Sequence, residues 1–292
     1  MQTADTSVPE RLAPAAPNTK GSLVVALARR AFLDARTRTV AFTYIFAVYA
    51  WLQAAGYKSA YPTLADRIGF GMISTSVSTA GISKNMQKEL AKFGTGSITT
   101  HTGYLSFVFI IFIFAACMFM CAQVSAARQE EAEQQLETLL ALPVSRYRWL
   151  GGRLLLAIGA AGVLAGLSGL LIWAGADSQG LNVSLAKLLE AGANCMPAAI
   201  LFLGIAALAY ATVPRASAAI AYTLVTASFL WYLVGSVLDL PRWLINATPF
   251  QHIGLVPAQS FRVSDAVIMA AIGLAAAAVA LGLFRRRDLL GA

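Results

Sequence analysis

Long stretches of uncharged, apolar residues, separated by short charged segments, constrain this chain more than any other feature of its sequence. Six of them are long enough to cross a hydrocarbon core of about 30 Å as helices rising 1.5 Å per residue. Hydrophobic residues make up 58% of the chain and charged residues 12%, against roughly 45–50% and 25% in soluble domains. The pattern predicts an all-α integral membrane protein. The six predicted transmembrane helices are Thr39–Tyr57, Gly103–Ala126, Leu154–Ala176, Cys195–Val213, Ala216–Leu238 and Ala266–Phe284.

The N-terminal region begins with a polar stretch and continues as an amphipathic helix. Residues 1–20 are rich in Pro and Ala and lack the apolar core of a secretory signal, so they are predicted to be a disordered cytoplasmic tail. In residues 21–38 apolar side chains recur at i, i+3 and i+4, with three arginines opposite. A basic helix of this kind suits the headgroup plane of a membrane. Residues 21–292 are therefore predicted to form one membrane domain that starts with an interfacial helix.

The distribution of Lys and Arg predicts the orientation of this domain. Six spans place both termini on one side, and 14 of the 22 Lys and Arg residues lie on that side. Three of the other eight, Lys84, Lys88 and Lys92, fall in the middle of a predicted outer loop at 58–102, where they count little. Both termini are therefore predicted to be cytoplasmic. Because the basic residues flank apolar spans, the net charge of +8 reflects membrane orientation, and no nucleic-acid partner is expected.

Two further segments are predicted on the outer side, a short loop at 177–194 and a longer region at 239–265. The longer region is unusually apolar for a loop and contains Pro241, Pro249 and Pro257. We interpret it as a pair of short helices that re-enter the membrane, which is tolerated where the backbone is buried in protein or lines a cavity. The residues assigned to this re-entrant outer gate are Trp243, Phe250 and His252.

The segment between the second and third spans is the most informative for function. Its acidic residues recur at helical spacing along one face, its leucines lie on another, and Pro143 ends the predicted helix at 128–143. A solvated acidic connector would show the same pattern. An acidic, leucine-bearing helix flanked by arginines is also suited to docking on a cytoplasmic partner. The residues assigned to that contact are Glu130, Glu131, Glu133, Glu137, Leu139, Leu140, Arg146 and Arg148.

Three sequence stretches carry a family resemblance. After the acidic run come Pro143–Arg146 (PVSR), Trp149 and Gly151–Leu154 (GGRL), followed later by Thr248–His252 (TPFQH) and Leu283–Leu289 (LFRRRDL). In this order they resemble the type-2 ATP-binding-cassette export permeases of high-GC bacteria, and most of all the antibiotic-exporting, tetronasin-type branch. The matching stretches cover the latter two thirds of the chain.

The resemblance implies the parts of a transporter. It implies a cytoplasmic coupling helix after the second span, a connecting helix at the start, a re-entrant pair before the last span and a place in the bacterial inner membrane. Many members of that branch have twelve spans, so a six-span chain should pair with a second six-helix permease, identical or different. Two cytoplasmic ATPase subunits would bind ATP and Mg. This chain has no G-x-x-x-x-G-K-[ST] phosphate loop, so it is predicted to be a transport subunit without a cofactor or enzymatic activity of its own.

The predicted spans contain almost no ionisable side chains, which disfavours an ion-driven mechanism. Cys117 and Cys121, one helical turn apart, are a conceivable copper(I) site, but apolar packing explains them better and no metal is expected. The histidines, His101 and His252, are expected to be structural. Aromatic residues are assigned to a path for hydrophobic or amphipathic cargo, although lipid-facing packing explains them equally well. They are Phe107, Phe112, Phe229, Trp231 and Tyr232.

Two other functions remain open from the sequence. The same architecture could export lipid or a lipid-linked polymer. It could also belong to a membrane scaffold or sensor subunit that transports nothing.

Overall fold

The fold was described from a computed structural model, which describes residues 19–60, 62–63, 100–132, 145–234 and 241–286. Within these ranges the regular structure is helical, as predicted. The helices are α1 Thr19–Ala60, α2 His101–Ala132, α3 Arg146–Ser178, α4 Leu185–Ala193, α5 Met196–Thr212, α6 Ser217–Val234, α7 Arg242–Ile245, a 3-10 helix at Pro249–His252, and α8 Val263–Arg286.

Five helical segments of the described chain are long and apolar enough to cross a membrane. The predicted fifth span corresponds to α6, whose apolar part is shorter, and residues 235–238 of that prediction lie outside the described ranges. The multi-pass helical architecture is thus confirmed, whereas a layout of six complete spans stays a prediction. The five segments are Thr39–Ala60, His101–Ala132, Arg146–Ser178, Leu185–Thr212 and Val263–Arg286.

The predicted interfacial helix and first span are not separate elements. They form the single helix α1, which runs without a break from Thr19 to Ala60. Neither Gly nor Pro occurs between Arg36 and Thr43, so the backbone has no residue there that would favour a turn. The backbone therefore has no break at the point where the interfacial helix was expected to turn into the first span.

The predicted short loop at 177–194 also differs from the structure, because half of it is the helix α4. The hydroxyl of Ser184 caps this helix by accepting a hydrogen bond from the Lys187 backbone N–H. The helix then packs along α3, where Gly169 lies against the Leu188 backbone and Gly192 against that of Ala165. Small residues permit this close approach of two backbones.

One turn at Asn194 and Cys195 separates α4 from α5. Together the two helices form one interrupted apolar segment of 28 residues that is long enough to cross a membrane. The predicted fourth span, Cys195–Val213, corresponds to the second part of this longer segment.

The core of the bundle lies around α5, most of whose side chains are buried. Gly204 on α5 and Gly273 on α8 bring these two helices into backbone contact. On the other side, α1 packs on α3, where Gly175 lies against Trp51 and Ala54.

Side-chain contacts define the two ends of the bundle. At one end the Arg128 Nε donates a hydrogen bond to the Pro214 carbonyl, and Trp149 stacks on Phe284. We call it the basic end, because the arginines that flank the helices collect there. At the opposite end, called the loop end, Tyr57 lies against the His101 ring at 5.2 Å between centroids. The loop end includes residues 241–262, and the assignment of the basic end to the cytoplasm stays a prediction.

Candidate functional site at the two ends of the bundle

At the basic end, arginines fasten the last turn of α2 to its neighbours. The Arg128 Nε lies 2.6 Å from the Pro214 carbonyl oxygen in the turn between α5 and α6. Arg153 on α3 forms an ion pair with Glu130 on α2, and both side chains are largely buried. The Arg153 guanidinium also lies 5.5 Å from the Trp149 ring centroid, a cation–π contact. The end of α2 is therefore joined to α3 and to the α5–α6 turn.

The structure places part of the predicted coupling set at this end. Glu130 and Glu131 lie in the last turn of α2, and Arg146 and Arg148 lie in the first turn of α3. The Ser145 hydroxyl caps α3 by accepting from the Arg148 backbone N–H. The remaining four predicted residues, Glu133, Glu137, Leu139 and Leu140, fall outside the described ranges.

Sequence reasoning missed Arg153 as the partner of Glu130. The two residues are separated by 23 positions and a connector, so no helical spacing joins them. The signal available in the sequence was Arg153 itself, the arginine of the GGRL stretch, which directly precedes the apolar part of α3.

At the loop end, Phe250 is the centre of an aromatic cluster. Its ring is 3% exposed and lies 5.9 Å from Phe202 on α5, 5.3 Å from Phe229 and 6.2 Å from Tyr232, both on α6. The other predicted gate residues lie differently. Trp243 is 72% exposed, and the His252 Nε2 is 2.8 Å from the Asn246 carbonyl oxygen. Of the three predicted gate residues, Phe250 is the one that packs inside the bundle.

Two buried polar side chains hold the segment after Phe250. The Asn194 Nδ2 donates to the Gly254 carbonyl at 2.8 Å. The Ser106 hydroxyl accepts from the Ala258 backbone N–H at 3.0 Å and lies 2.9 Å from the Leu255 carbonyl oxygen. These bonds tie backbone groups of a non-helical segment to α2 and to the α4–α5 turn. Sequence reasoning did not select either residue, although each is a polar position in a mainly apolar stretch.

The predicted path residues separate into two groups. Phe229, Trp231 and Tyr232 lie at the loop end, where the Trp231 Nε1 donates to the Leu244 carbonyl at 3.1 Å. Phe112 on α2 is fully buried against α1, where its ring centroid lies 5.7 Å from that of Phe46. Phe107 is 37% exposed. Their assignment to a cargo path stays a prediction.

The cysteines and histidines form no metal centre within the described residues. Cys117, Cys121 and Cys195 are buried and unbridged, and the Cys195 thiol donates to the Ala191 carbonyl in the preceding helix.

Comparison with known proteins defines the class of this multi-pass membrane protein. A family profile for the C-terminal domain of the multidrug efflux system permease Rv1217c matches residues 64–285. The chain belongs to this family of efflux permeases. The multidrug efflux system permease protein Rv1217c of Mycobacterium tuberculosis (strain ATCC 25618 / H37Rv) is 28% identical over 200 residues, 67% of this chain and 35% of that protein. The chain thus spans about a third of the length of this curated relative.

These matches confirm the prediction of a transmembrane efflux permease, and they favour a transport protein over an enzyme. The tetronasin-type branch, the ATPase partners and the cargo class stay predictions.

Proposed function

We propose that this chain is the transmembrane subunit of an ATP-binding-cassette exporter in the bacterial inner membrane. It would form half of the path for hydrophobic or amphipathic cargo, as the tetronasin-type resemblance implies. The observation that carries the proposal is the family match over residues 64–285. A second permease, identical or different, would supply the other half of the path, as the same resemblance implies.

The buried polar side chains that the structure describes are uncharged, which favours an energy source other than an ion gradient. The buried polar side chains among the described residues are Ser106, Gln123, Ser168, Asn194, Ser217 and Thr248, and none of these carries a charge. Ion-driven transporters usually bury Asp, Glu or His within the membrane. We therefore assign the energy supply to two cytoplasmic ATPase subunits that bind ATP and Mg.

The basic end supports coupling to those subunits. The connector between α2 and α3 starts beside Glu130, which is paired with Arg153, and ends at Ser145, which caps α3. The bond from Arg128 to Pro214 extends the link to the α5–α6 turn. Motion of an ATPase docked on the connector would therefore reach several helices through short, fixed contacts.

A mutational series tests this coupling. Truncating a buried anchor at an interface can cost about 2 kcal/mol or more, whereas single exposed charges are worth roughly 0–1 kcal/mol. Leu139→Ala or Leu140→Ala should therefore weaken ATPase association at least about tenfold. This is more than Glu130→Gln alone, because the Glu130 side chain is largely buried against Arg153 and leaves little surface for a partner. Joint reversal of Glu133 and Glu137 to Lys should abolish efflux while the protein still inserts. The measurements are ATPase copurification and drug efflux in the same membranes.

Glu190→Lys is the matched control, because it reverses one charge on α4 at the loop end, where Glu190 pairs with Lys187 on the helix surface at 3.6 Å. It should leave ATPase copurification unchanged. Normal efflux with the double reversal would show that the connector does not couple the chain to an ATPase, and the coupling assignment would be withdrawn.

A further inference from the structure

A cluster of three polar side chains interrupts the aromatic contacts between α1 and α2. The Gln53 Nε2 donates a hydrogen bond to the Tyr49 hydroxyl at 2.9 Å, and the Tyr104 hydroxyl donates to the Gln53 Oε1 at 3.3 Å. Gln53 and Tyr49 lie about 6 Å and 12 Å inside the predicted end of the first span at Tyr57, at 1.5 Å per residue. The polar cluster Tyr49–Gln53–Tyr104 therefore lies within the predicted spans.

Aromatic rings close the polar cluster along the direction of the helices. On the side of the loop end, Tyr57 is 1% exposed, and its ring centroid lies 4.7 Å from that of Tyr104 and 5.2 Å from that of His101. On the side of the basic end, the ring centroid of the buried Phe112 lies 6.4 Å from that of Tyr49. A layer of rings therefore lies between the cluster and the loop end.

Two hydrogen-bond donors of the polar cluster have no acceptor within the described chain. A Gln amide carries two N–H groups, and the Gln53 Nε2 uses one of them on Tyr49. Because the Tyr49 oxygen accepts that bond, its own O–H is still available to donate. Both side chains are only partly buried, and a donor left without an acceptor in hydrocarbon is costly. The two neighbouring donors are therefore suited to an acceptor oxygen that approaches from the open side.

The surface beside these donors is apolar and open. Ile45 and Leu52 lie one turn before and after Tyr49 on the same face of α1, and they are 62% and 54% exposed. On α2, Phe107 lies one turn after Tyr104 and is 37% exposed. A lipid acyl chain could cover these side chains, but it carries no acceptor for the two donors. An apolar molecule with one acceptor oxygen matches both parts of the surface.

We infer that Gln53 and Tyr49 bind the carbonyl oxygen of uncharged, ring-bearing cargo, and that Tyr104 holds the Gln53 amide in position for this contact. The inference rests on the proposed transport function and adds a chemical class of cargo to it. The cargo oxygen would exchange water for two hydrogen bonds in an apolar setting, where each bond is stronger than in water. A hydrocarbon of the same shape would make the ring contacts alone.

Binding of two dyes to the full chain in detergent tests the inference. Nile red is a planar ring system with a carbonyl oxygen, and perylene is a planar hydrocarbon of similar size. Both are titrated by fluorescence, without ATP or an ATPase. Gln53→Leu should weaken Nile red binding about two- to tenfold, as expected for lost neutral hydrogen bonds, and change perylene binding by less than about twofold.

Two hydroxyl deletions refine the test, because each of them keeps its aromatic ring. Tyr49→Phe removes a donor and should lower the affinity for Nile red as Gln53→Leu does. Tyr104→Phe should lower it less, because Tyr104 acts through Gln53. The readout is the ratio of the Nile red to the perylene affinity, which a general loss of packing would not change.

Gln123→Leu is the matched control, because it makes the same substitution on α2 at a position that is 9% exposed. It should change neither affinity by more than about twofold. The inference is overturned if Gln53→Leu leaves Nile red binding unchanged, if it weakens both dyes equally, or if Gln123→Leu weakens Nile red binding as much. A wild-type chain that does not bind Nile red overturns it as well.

Efflux of Nile red separates this inference from the proposed function. Dye binding as expected without ATP-dependent efflux would contradict the exporter and support the binding site. Equal ATP-dependent efflux of Nile red by the wild type and by Gln53→Leu, together with equal binding, would support the exporter and overturn the binding site.

Discussion

At the scale of single residues, Asn194 shows how one polar side chain can organise an apolar bundle. It lies at the turn between α4 and α5, is 5% exposed and donates to the Gly254 carbonyl at 2.8 Å. It therefore holds the interrupted apolar segment of α4 and α5 to the segment that follows Phe250. The Gly254 carbonyl also accepts from the Val256 backbone N–H at 3.0 Å, so Asn194 adds a second hydrogen bond that links two segments distant in sequence.

Asn194→Ala should destabilise the fold and impair efflux. The Gly254 carbonyl would keep only the Val256 backbone N–H as a donor, at 3.0 Å, and losing the hydrogen bond from Asn194 costs about 0.5–1.5 kcal/mol of unfolding free energy. The measurement is the thermal unfolding temperature in detergent, together with efflux in cells. Asn246→Ala is the control, because its side chain is exposed in the same region and its backbone carbonyl, which lies beside His252, is kept. Equal unfolding temperatures for the two variants would remove Asn194 from this role.

At the scale of helices, the contact between α5 and α8 depends on two glycines. A Cβ at Gly204 would overlap the Gly273 backbone, and a Cβ at Gly273 would lie 2.6 Å from the Leu201 Cα. Backbone atoms cannot move aside as a flexible side chain can, so the helices would have to separate. This contact also sets the position of Tyr210 against Phe284, whose ring centroids are 5.4 Å apart.

Gly204→Ala and Gly273→Ala should each lower the thermal unfolding temperature, with a cost of about 1–3 kcal/mol typical of overpacking. Gly282→Ala on the same helix α8 is the matched control, because nothing lies within 4 Å of its Cβ position. It should be neutral or stabilising, since Ala is favoured over Gly within a helix by about 0.5–1 kcal/mol. The close-contact interpretation fails if all three variants unfold at the same temperature.

At the scale of the whole molecule, the basic end unites the described arginines of α2, α3, α8 and the α5–α6 turn. Lys58 lies at the opposite end, where its ammonium group donates to the Gln179 carbonyl. The excess of Lys and Arg on the side of the termini predicts that the basic end faces the cytoplasm.

Single cysteines in a cysteine-free background test this orientation. Cysteine at Ser145 or at Ala292 should be shielded from an impermeant thiol reagent in intact cells, and cysteine at Ser97 should react. Permeabilised cells provide the control, since all three positions should then be labelled. Labelling at Ser145 from outside would invert the topology and with it the assignment of the ATPase-facing end.

The sequence by itself determined most of the long apolar helices and their approximate ends. A predicted last span at Ala266–Phe284 became α8 at Val263–Arg286, because hydrocarbon requires a continuous apolar helix with its backbone groups paired internally. The pattern also indicated that 239–265 contains short helices, and two occur there. The efflux-permease family followed from short motifs in the same order along the chain.

Only the tertiary structure decided how these helices are joined. The Asn194–Gly254 bond connects residues 60 positions apart, and Ser106 bonds a segment about 150 positions away. No helical or strand periodicity predicts such pairs, because the two partners belong to distant segments that only the tertiary fold brings together. The nine residues of α4 were missed for a related reason: a helix so short depends on packing, here the glycine contacts with α3, in addition to its Ser184 cap.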